Sequence, residues 1–175
     1  LFLTPQDQGL PVQAANIDEV PLSVGSLPLE DLFPMITWEG YNVRQAYVPS
    51  DAVEWNFSAN VPGDRTLPIK LPLSPEGSAL EPGLYFLRLP ITEKYFGPYV
   101  LAVSNIQVTL KISSSDAFVW AVDLRTTTPV SGAPVAIYHE SGTLWASGET
   151  DAEGIFRAAV PAHQQEYPTT VAIVG

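Results

Sequence analysis

The sequence predicts an all-β protein with two antiparallel β-sandwich domains in tandem and one short helix in the first domain. Three observations support this fold class. Apolar and polar residues alternate along most of the chain, as successive side chains of a strand do when they point to opposite faces. These alternating runs recur about every ten residues, which is typical of a sandwich. Proline and glycine, with 17 and 12 residues, supply turns between them.

The alternation is clearest in the second half of the chain. Residues 106–113 contain four apolar and four polar residues in strict alternation, which predicts a strand with one wet face. In the next run Phe118, Trp120, Val122 and Leu124 share one face, and we expect Trp120 to pack between two sheets. Further strands are predicted at residues 134–139, 143–147, 155–160 and 169–174, with hairpin turns at 140–142 and 151–154.

The first half is also strand-like but less regular. Its predicted strands cover residues 12–15, 18–24, 43–48, 53–59, 66–73 and 84–91. In the strand at 66–73, Pro68 and Pro72 share one register, so both missing N–H groups fall on one side. That arrangement favours an edge strand over a central one.

One segment, residues 26–33, has a helical pattern. Ser26 is a candidate N-cap, Pro28 is tolerated in a first turn, and Pro34 limits the helix to about two turns. We expect this helix to cover one end of the first sandwich. The boundary between the domains is predicted near Gly97-Pro98, which gives domains of residues 1–98 and 99–175. Because the chain lacks an initiator Met and ends within an apolar run, we interpret it as a piece of a longer protein.

Composition excludes several classes of function. The chain is 46% hydrophobic and 15% charged, which disfavours disorder, and no apolar run is long enough to cross a membrane. Its 19 acidic and 8 basic residues give a net charge of −11, which disfavours nucleic-acid binding. The absence of cysteine excludes disulfides and thiolate sites.

Candidate reactive residues do not combine into a site in the sequence. His139 and His163 have no partners at the spacing that a metal site requires. Ser113 to Ser115 are not part of a nucleophile motif, and a polar turn explains this serine run better. Asp151 and Glu153 offer too few oxygens for calcium. The acidic pairs at 18–19 and 30–31 are expected to be solvated. We therefore predict no catalytic residue, no cofactor site and no metal site, and a protein that is not an enzyme.

Aromatic residues leave an alternative open. Trp38, Tyr41, Tyr47 and Trp55 are compatible with a carbohydrate-binding platform if Trp38 and Trp55 are exposed side by side. The alternation of Trp55 and Phe57 with polar residues favours a role in the core instead.

The second half contains a characteristic set of segments: residues 103–111 and 118–124, Pro-Val-x-Gly-x-Pro-Val at 129–135, and Thr-Asp-x-x-Gly at 150–154. In this order they resemble a domain of bacterial alpha-2-macroglobulins. The first half resembles the preceding domain of that family more loosely, through residues 16–18, 27–32, Trp38 and 82–85. The positions that match are framework residues, since they shape turns and strand starts.

The resemblance implies two macroglobulin-like, Ig-like domains from a large, broad-spectrum protease inhibitor of the bacterial cell envelope. Members of that family trap a protease after it cleaves a bait, often through a thioester between Cys and Gln. Without cysteine this chain has no thioester, so the resemblance implies a scaffold whose partners are neighbouring macroglobulin domains and, through the full-length protein, target proteases. A periplasmic or extracellular location is implied, with anchoring through the parent chain and no membrane insertion by this piece. The alternative is a spacer module in the stalk of a surface adhesin.

Overall fold

The computed structural model describes residues 1–89, 98–162 and 169–175, which form two compact units. Unit 1 contains Leu1–Leu29 and Tyr41–Ser104, and unit 2 contains Glu30–Gly40 and Asn105–Gly175. The units differ from the predicted domain ranges in two places, because residues 99–104 group with unit 1 and residues 30–40 with unit 2. As independent folding domains, ranges 1–98 and 99–175 stay a prediction.

Unit 1 is built from a five-stranded and a two-stranded sheet. Its strands are β1 (Phe2–Leu3), β2 (Gly9–Ala14), β3 (Ile17–Ser26), β4 (Val53–Val61), β5 (Leu67–Pro72), β6 (Gly83–Arg88) and β7 (Tyr99–Val103). The larger sheet has the order β1-β7-β6-β3-β4, and β2 pairs with β5 in the smaller one. All pairs are antiparallel except β1 with β7.

The core of unit 1 lies between these two sheets. Leu10 and Leu71 of the small sheet pack in one cluster with Leu22, Leu87 and Leu101 of the large sheet. Trp55 and Phe57 pack against this cluster from alternate positions of β4, as the alternation predicts. The predicted edge character of residues 66–73 is also confirmed, since β5 pairs with β2 alone among the described strands.

The described residues contain two helices, α1 (Leu29–Ile36) and α2 (Gly40–Ala46). The proposed N-cap is wrong, because Ser26 ends β3 and its N–H donates to Asp51 Oδ1 at 3.0 Å. Helix α1 continues through Pro34 to Ile36, and its residues from Glu30 onward group with unit 2 rather than covering unit 1. Within unit 2 the ring of Phe33 lies 5.3 Å from that of Tyr138.

The predicted strand at 43–48 is wrong, because this segment belongs largely to α2. The N–H of Tyr47 donates to the carbonyl of Val43 at 3.0 Å, which is the i to i−4 bond of a helix. Arg44, Gln45 and Ala46 favour a helix intrinsically, and Val43 is exposed instead of facing a core. A short apolar run reads alike in both states, which explains the error.

Unit 2 contains two three-stranded antiparallel sheets. Its strands are β8 (Ile106–Ile112), β9 (Asp116–Asp123), β10 (Pro134–His139), β11 (Leu144–Glu149), β12 (Ile155–Ala159) and β13 (Thr170–Val174). The sheet orders are β11-β10-β13 and β12-β9-β8. Every strand predicted in this half is present within two residues of its expected bounds at each end.

The core of unit 2 uses the small-residue face of β9. Ala117, Val119 and Ala121 are buried, and Val119 packs in one cluster with Ile137 of the opposite sheet. Trp120 points the other way and is 44% exposed, so the expectation that it packs between the sheets is wrong. The alternation correctly predicted which residues of β9 share a face. The interior face was predicted wrongly, because the face with the larger side chains was expected to be buried.

Candidate functional site

A buried hydroxyl group of unit 2 joins the two motifs at residues 129–135 and 150–154. Thr150 is 4% exposed, and its Oγ1 donates to the carbonyl of Val130 at 2.6 Å and accepts the N–H of Ala133 at 2.9 Å. The Thr150 main chain adds bonds to Ala133 and Gly132. One buried hydroxyl thus holds the proline–glycine turn against the end of β11, which is a structural role.

The turn that follows is held by Asp151 and Gly154. Asp151 Oδ1 accepts the N–H groups of Glu153 at 3.0 Å and Ile155 at 2.8 Å. Gly154 has φ of 73°, and a Cβ there would lie 2.5 Å from the carbonyl oxygen of Ala121. This turn therefore requires glycine, and Asp151 uses its oxygen on the backbone, as expected of a turn. The predicted hairpin is wrong, because β11 pairs with β10 and β12 pairs with β9, so the turn connects two different sheets.

The remaining predicted candidates are not brought together into a reactive cluster. His139 Nδ1 lies 2.9 Å from Ser141 Oγ, and its ring stacks on Trp145 at 5.0 Å. Ser115 Oγ donates to Asp116 Oδ2 at 2.7 Å within the turn between β8 and β9. His163 lies outside the described residues. Within the described ranges no three His, Asp or Glu side chains form a possible metal site.

The aromatic platform is not supported by the exposure of its members. Trp38 is 99% exposed and Tyr41 is 57% exposed, whereas Trp55 is partly buried against the core of unit 1. Tyr47 packs edge-on against Phe86 at 5.0 Å. The core interpretation therefore holds for Trp55 and Tyr47 but is wrong for Trp38 and Tyr41.

Among the described residues, four ionisable groups have shifted pKa values. Hydrogen bonds from the N–H and Oγ1 of Thr4 lower the pKa of Asp7, and those from Ser26 lower that of Asp51. The N–H groups of Thr126 and Arg125 lower the pKa of Asp123. Burial raises the pKa of Tyr85. Each acidic shift comes from a carboxylate that caps a turn or loop, so none marks a general acid.

The outer face of the sheet β12-β9-β8 is a candidate interaction surface that the sequence analysis missed. We use this name for the side chains of this sheet that point away from the core cluster: Gln107, Thr109, Lys111, Asp116, Phe118, Trp120, Val122, Ile155, Arg157 and Ala159. The centre of this face is aromatic. A cavity of about 540 Å³ adjoins it, lined partly by Lys111, Phe118 and Arg157.

A second cavity lies in unit 1, between its two sheets. It measures about 670 Å³ and has a mainly aliphatic lining that includes Leu10, Val12, Ile69, Leu71 and Leu89. Among the described helices none is long and apolar enough to cross a bilayer.

Comparison with known proteins finds a family model that matches the second half of the chain. Residues 103–174 match the family model described as bacterial alpha-2-macroglobulin MG3 domain. A sequence search against curated proteins finds no match.

Solved structures share the fold of the whole chain. Native alpha-2-macroglobulin from Escherichia coli spanning domains NIE-MG1 matches with a TM-score of 0.69 and 18% identity, over 95% of this chain and 88% of that one. Trypsin-activated alpha-2-macroglobulin from Escherichia coli matches with a TM-score of 0.64 and 18% identity, over 99% of this chain and 13% of that one. A Salmonella alpha-2-macroglobulin mutant, Y1175G, matches with a TM-score of 0.60 and 19% identity, over 96% of this chain and 11% of that one.

The family model names an MG3 domain, whereas the solved fragment is described as NIE-MG1. At 18% identity the structural likeness shows the fold alone. The described residues have the all-β fold of macroglobulin domains with two short helices. The chain thus shares this fold over nearly its whole length, and its residues 103–174 match the bacterial alpha-2-macroglobulin MG3 model.

Proposed function

We propose that this chain is a non-catalytic scaffold portion of a bacterial protease inhibitor of the alpha-2-macroglobulin type. In this proposal the parent protein has a broad spectrum and traps an attacking protease after its bait is cleaved. The match of residues 103–174 to the MG3 family model carries the proposal. One structural relative is described as trypsin-activated, which ties that relative to a protease.

The contacts of the framework motifs support a scaffold role. Thr150 and Asp151 direct their side-chain oxygens at backbone N–H and C=O groups, and Gly154 serves a tight turn. Such bonds hold strands in place. Ser141 Oγ does lie 2.9 Å from His139 Nδ1, but the Ser141 N–H donates to the same nitrogen and its Oγ also bonds Thr143 Oγ1, so this contact shapes the turn between β10 and β11. We therefore propose that the chain is not an enzyme.

The proposed partners are the neighbouring macroglobulin domains of the parent chain and, through the full-length protein, the target proteases. The chain covers 13% of the trypsin-activated relative and 11% of the Salmonella protein, so both relatives are much longer. We propose a periplasmic or extracellular location with envelope anchoring through the parent.

The test measures whether the full-length parent shields a protease by size. The parent is mixed with several proteases, and their remaining activity is measured on a large protein substrate and on a small peptide substrate. Steric trapping predicts loss of activity on the large substrate only. A parent that carries Val119→Asp, at a fully buried core position, should lose this protection, whereas Leu144→Asp, at a 51% exposed position, should keep it.

If the parent does not reduce the activity of any protease on the large substrate relative to the small one, the inhibitor proposal is contradicted and the adhesin stalk is favoured. Protection that survives Val119→Asp contradicts the scaffold role of this unit. Peptide hydrolysis by the purified 175-residue chain contradicts its non-catalytic status.

A further inference from the structure

We propose that the outer face of the sheet β12-β9-β8 docks an acidic polypeptide segment that also carries apolar side chains. The juxtaposition that carries this proposal is an aromatic pair on β9, exposed Trp120 and half-buried Phe118, with one cation beside Phe118 on each neighbouring strand. The proposal is independent of the proposed function, so either can fail alone.

The apolar component lies along the middle of the face. Phe118, Trp120 and Val122 occupy alternate positions of the central strand β9, and Ile155 of β12 lies opposite Trp120. Trp120 is 44% exposed, although the same strand buries Val119 completely on its other side. A strand with one solvent-exposed face ordinarily carries polar residues on that face. This apolar row is therefore a surface suited to apolar side chains of a binding partner.

The charged component surrounds Phe118. Lys111 of β8 and Arg157 of β12 are its cross-strand neighbours on either side, and both are exposed. The guanidinium carbon of Arg157 lies 4.7 Å from the centroid of the Phe118 ring. Within the described ranges neither cation forms an ion pair. The nearest acidic residue in the row is Asp116 at the end of β9, and its Oδ2 accepts from Ser115 Oγ.

The charge pattern selects the chemistry of the partner. The chain has 8 basic residues against 19 acidic ones, and this face places two of the 8 around one ring. Carboxylates on a partner would approach Lys111 and Arg157 while its apolar side chains cover Trp120, a combination that raises both association rate and specificity. An acidic polypeptide with interspersed apolar residues fits both components.

Other anionic partners fit less well. Two cations neutralise few phosphates, and the net charge of −11 repels nucleic acid and anionic lipid surfaces. A sugar needs several polar side chains around the aromatic ring, but here Trp120 is flanked by Thr109 and Ile155. Gln107 already donates its Nε2 to the carbonyl of Val108 at 3.2 Å.

The test uses the full 175-residue chain and a short fluorescein-labelled peptide that alternates glutamate and leucine. Fluorescence anisotropy should give a Kd of about 10–500 µM at low salt, weakening as salt increases. A peptide that alternates lysine and leucine should bind at least about tenfold more weakly.

Variants of the face separate its two components. Lys111→Glu with Arg157→Glu should weaken binding at least about tenfold, and Trp120→Ser should weaken it about fivefold or more. The matched control is Arg65→Glu with Lys70→Glu, two exposed cations of unit 1, which changes the net charge equally and should change Kd less than about twofold. Circular dichroism checks folding, and Lys111→Gln with Arg157→Gln replaces the glutamate pair if that pair unfolds.

Several results would overturn the proposal. The proposal is contradicted if the peptide does not bind at about 1 mM, or if both peptides bind equally well. It is also contradicted if the control pair weakens binding as much as the Lys111 and Arg157 pair does, or if Trp120→Ser leaves the affinity unchanged. Binding of anionic lipid vesicles or of a sulfated oligosaccharide that depends on Lys111 and Arg157 and exceeds the affinity for the peptide would also overturn it.

Discussion

Replacing Thr150 with valine should destabilise unit 2 far more than its modest chemical change suggests. The two side chains have almost the same shape, so no cavity forms, but the hydroxyl disappears. The carbonyl of Val130 and the N–H of Ala133 then lose partners at 2.6 and 2.9 Å in a site where Thr150 itself is 4% exposed. Water has little access to replace these bonds.

The expected cost follows from these two lost bonds. Leaving a buried polar group without a partner costs about 1–3 kcal/mol, and the added methyl group returns less than about 1 kcal/mol. We expect Thr150→Val to lower the free energy of unfolding of unit 2 by about 2–4 kcal/mol. Since domains of this size lose about 4–8 °C per kcal/mol, the midpoint should fall by about 10 °C or more.

Scanning calorimetry of the 175-residue chain measures this change, and the unmodified chain serves as the reference. Hydrogen exchange of the Ala133 amide gives a local measurement and should accelerate at least about thirtyfold, the factor that corresponds to the lower end of the range. Thr150→Ser keeps the hydroxyl and should cost about 1 kcal/mol. Thr109→Val, on the outer face, should change stability by less than about 0.5 kcal/mol. If Thr150→Val matches Thr109→Val, the hydroxyl does not hold the two motifs together.

Three further predictions concern the turn, the acidic loops and the core. Gly154→Ala should destabilise unit 2 by at least about 2 kcal/mol in urea unfolding, because the new Cβ would lie 2.5 Å from the carbonyl oxygen of Ala121. Gly132→Ala, at a position with φ of 70° and open space around it, should cost about 1 kcal/mol. Equal costs for the two substitutions would contradict the steric argument. Because their folded pKa values are lowered, Asp7 and Asp51 stabilise unit 1 above their unfolded pKa of about 4, and this contribution disappears as the pH falls through the folded values. Thermal unfolding at decreasing pH should therefore show a smaller acid loss in Asp7→Asn than in the unmodified chain, and parallel profiles would refute this. Phe86→Ala, at a fully buried position, should lower the free energy of unfolding by about 3–5 kcal/mol in chemical denaturation. Phe2→Ala, at a position that is 46% exposed, should lower it by less than about 1 kcal/mol. Similar losses of stability in both variants would show that burial does not determine the cost.

The sequence predicted the strands of unit 2 well because each alternation is local and each turn contains residues with strong conformational preferences. The turn at residues 151–154 is an example. Gly154 adopts φ of 73°, and Asp151 Oδ1 accepts hydrogen bonds from residues no more than four positions away in the chain. The same local signals predicted the edge strand with Pro68 and Pro72.

The errors occur where burial depends on residues far away in the chain. Alternation separated the two faces of β9, but only contact with Ile137 in the opposite sheet determines that Val119 is inside and Trp120 outside. The helix α2 was missed because its apolar residues have no core to face, as the exposure of Tyr41 and Val43 shows. The outer face could have been found from sequence only with knowledge of the strand register that places Lys111 and Arg157 beside Phe118.

The prolines of the small sheet in unit 1 have a consequence for behaviour at high concentration. Pro68 and Pro72 of β5 pair across from Gln13 and Gly9, and Pro11 of β2 pairs with Lys70, so all three occupy one register. Because that register points its main-chain nitrogens outward, β5 loses two outward donors and β2 loses one, while Lys70, Gly9 and Gln13 keep theirs. A strand from another molecule would therefore find an interrupted row of donors on either side of this ribbon, which disfavours the strand addition that leads to swapped dimers and fibrils.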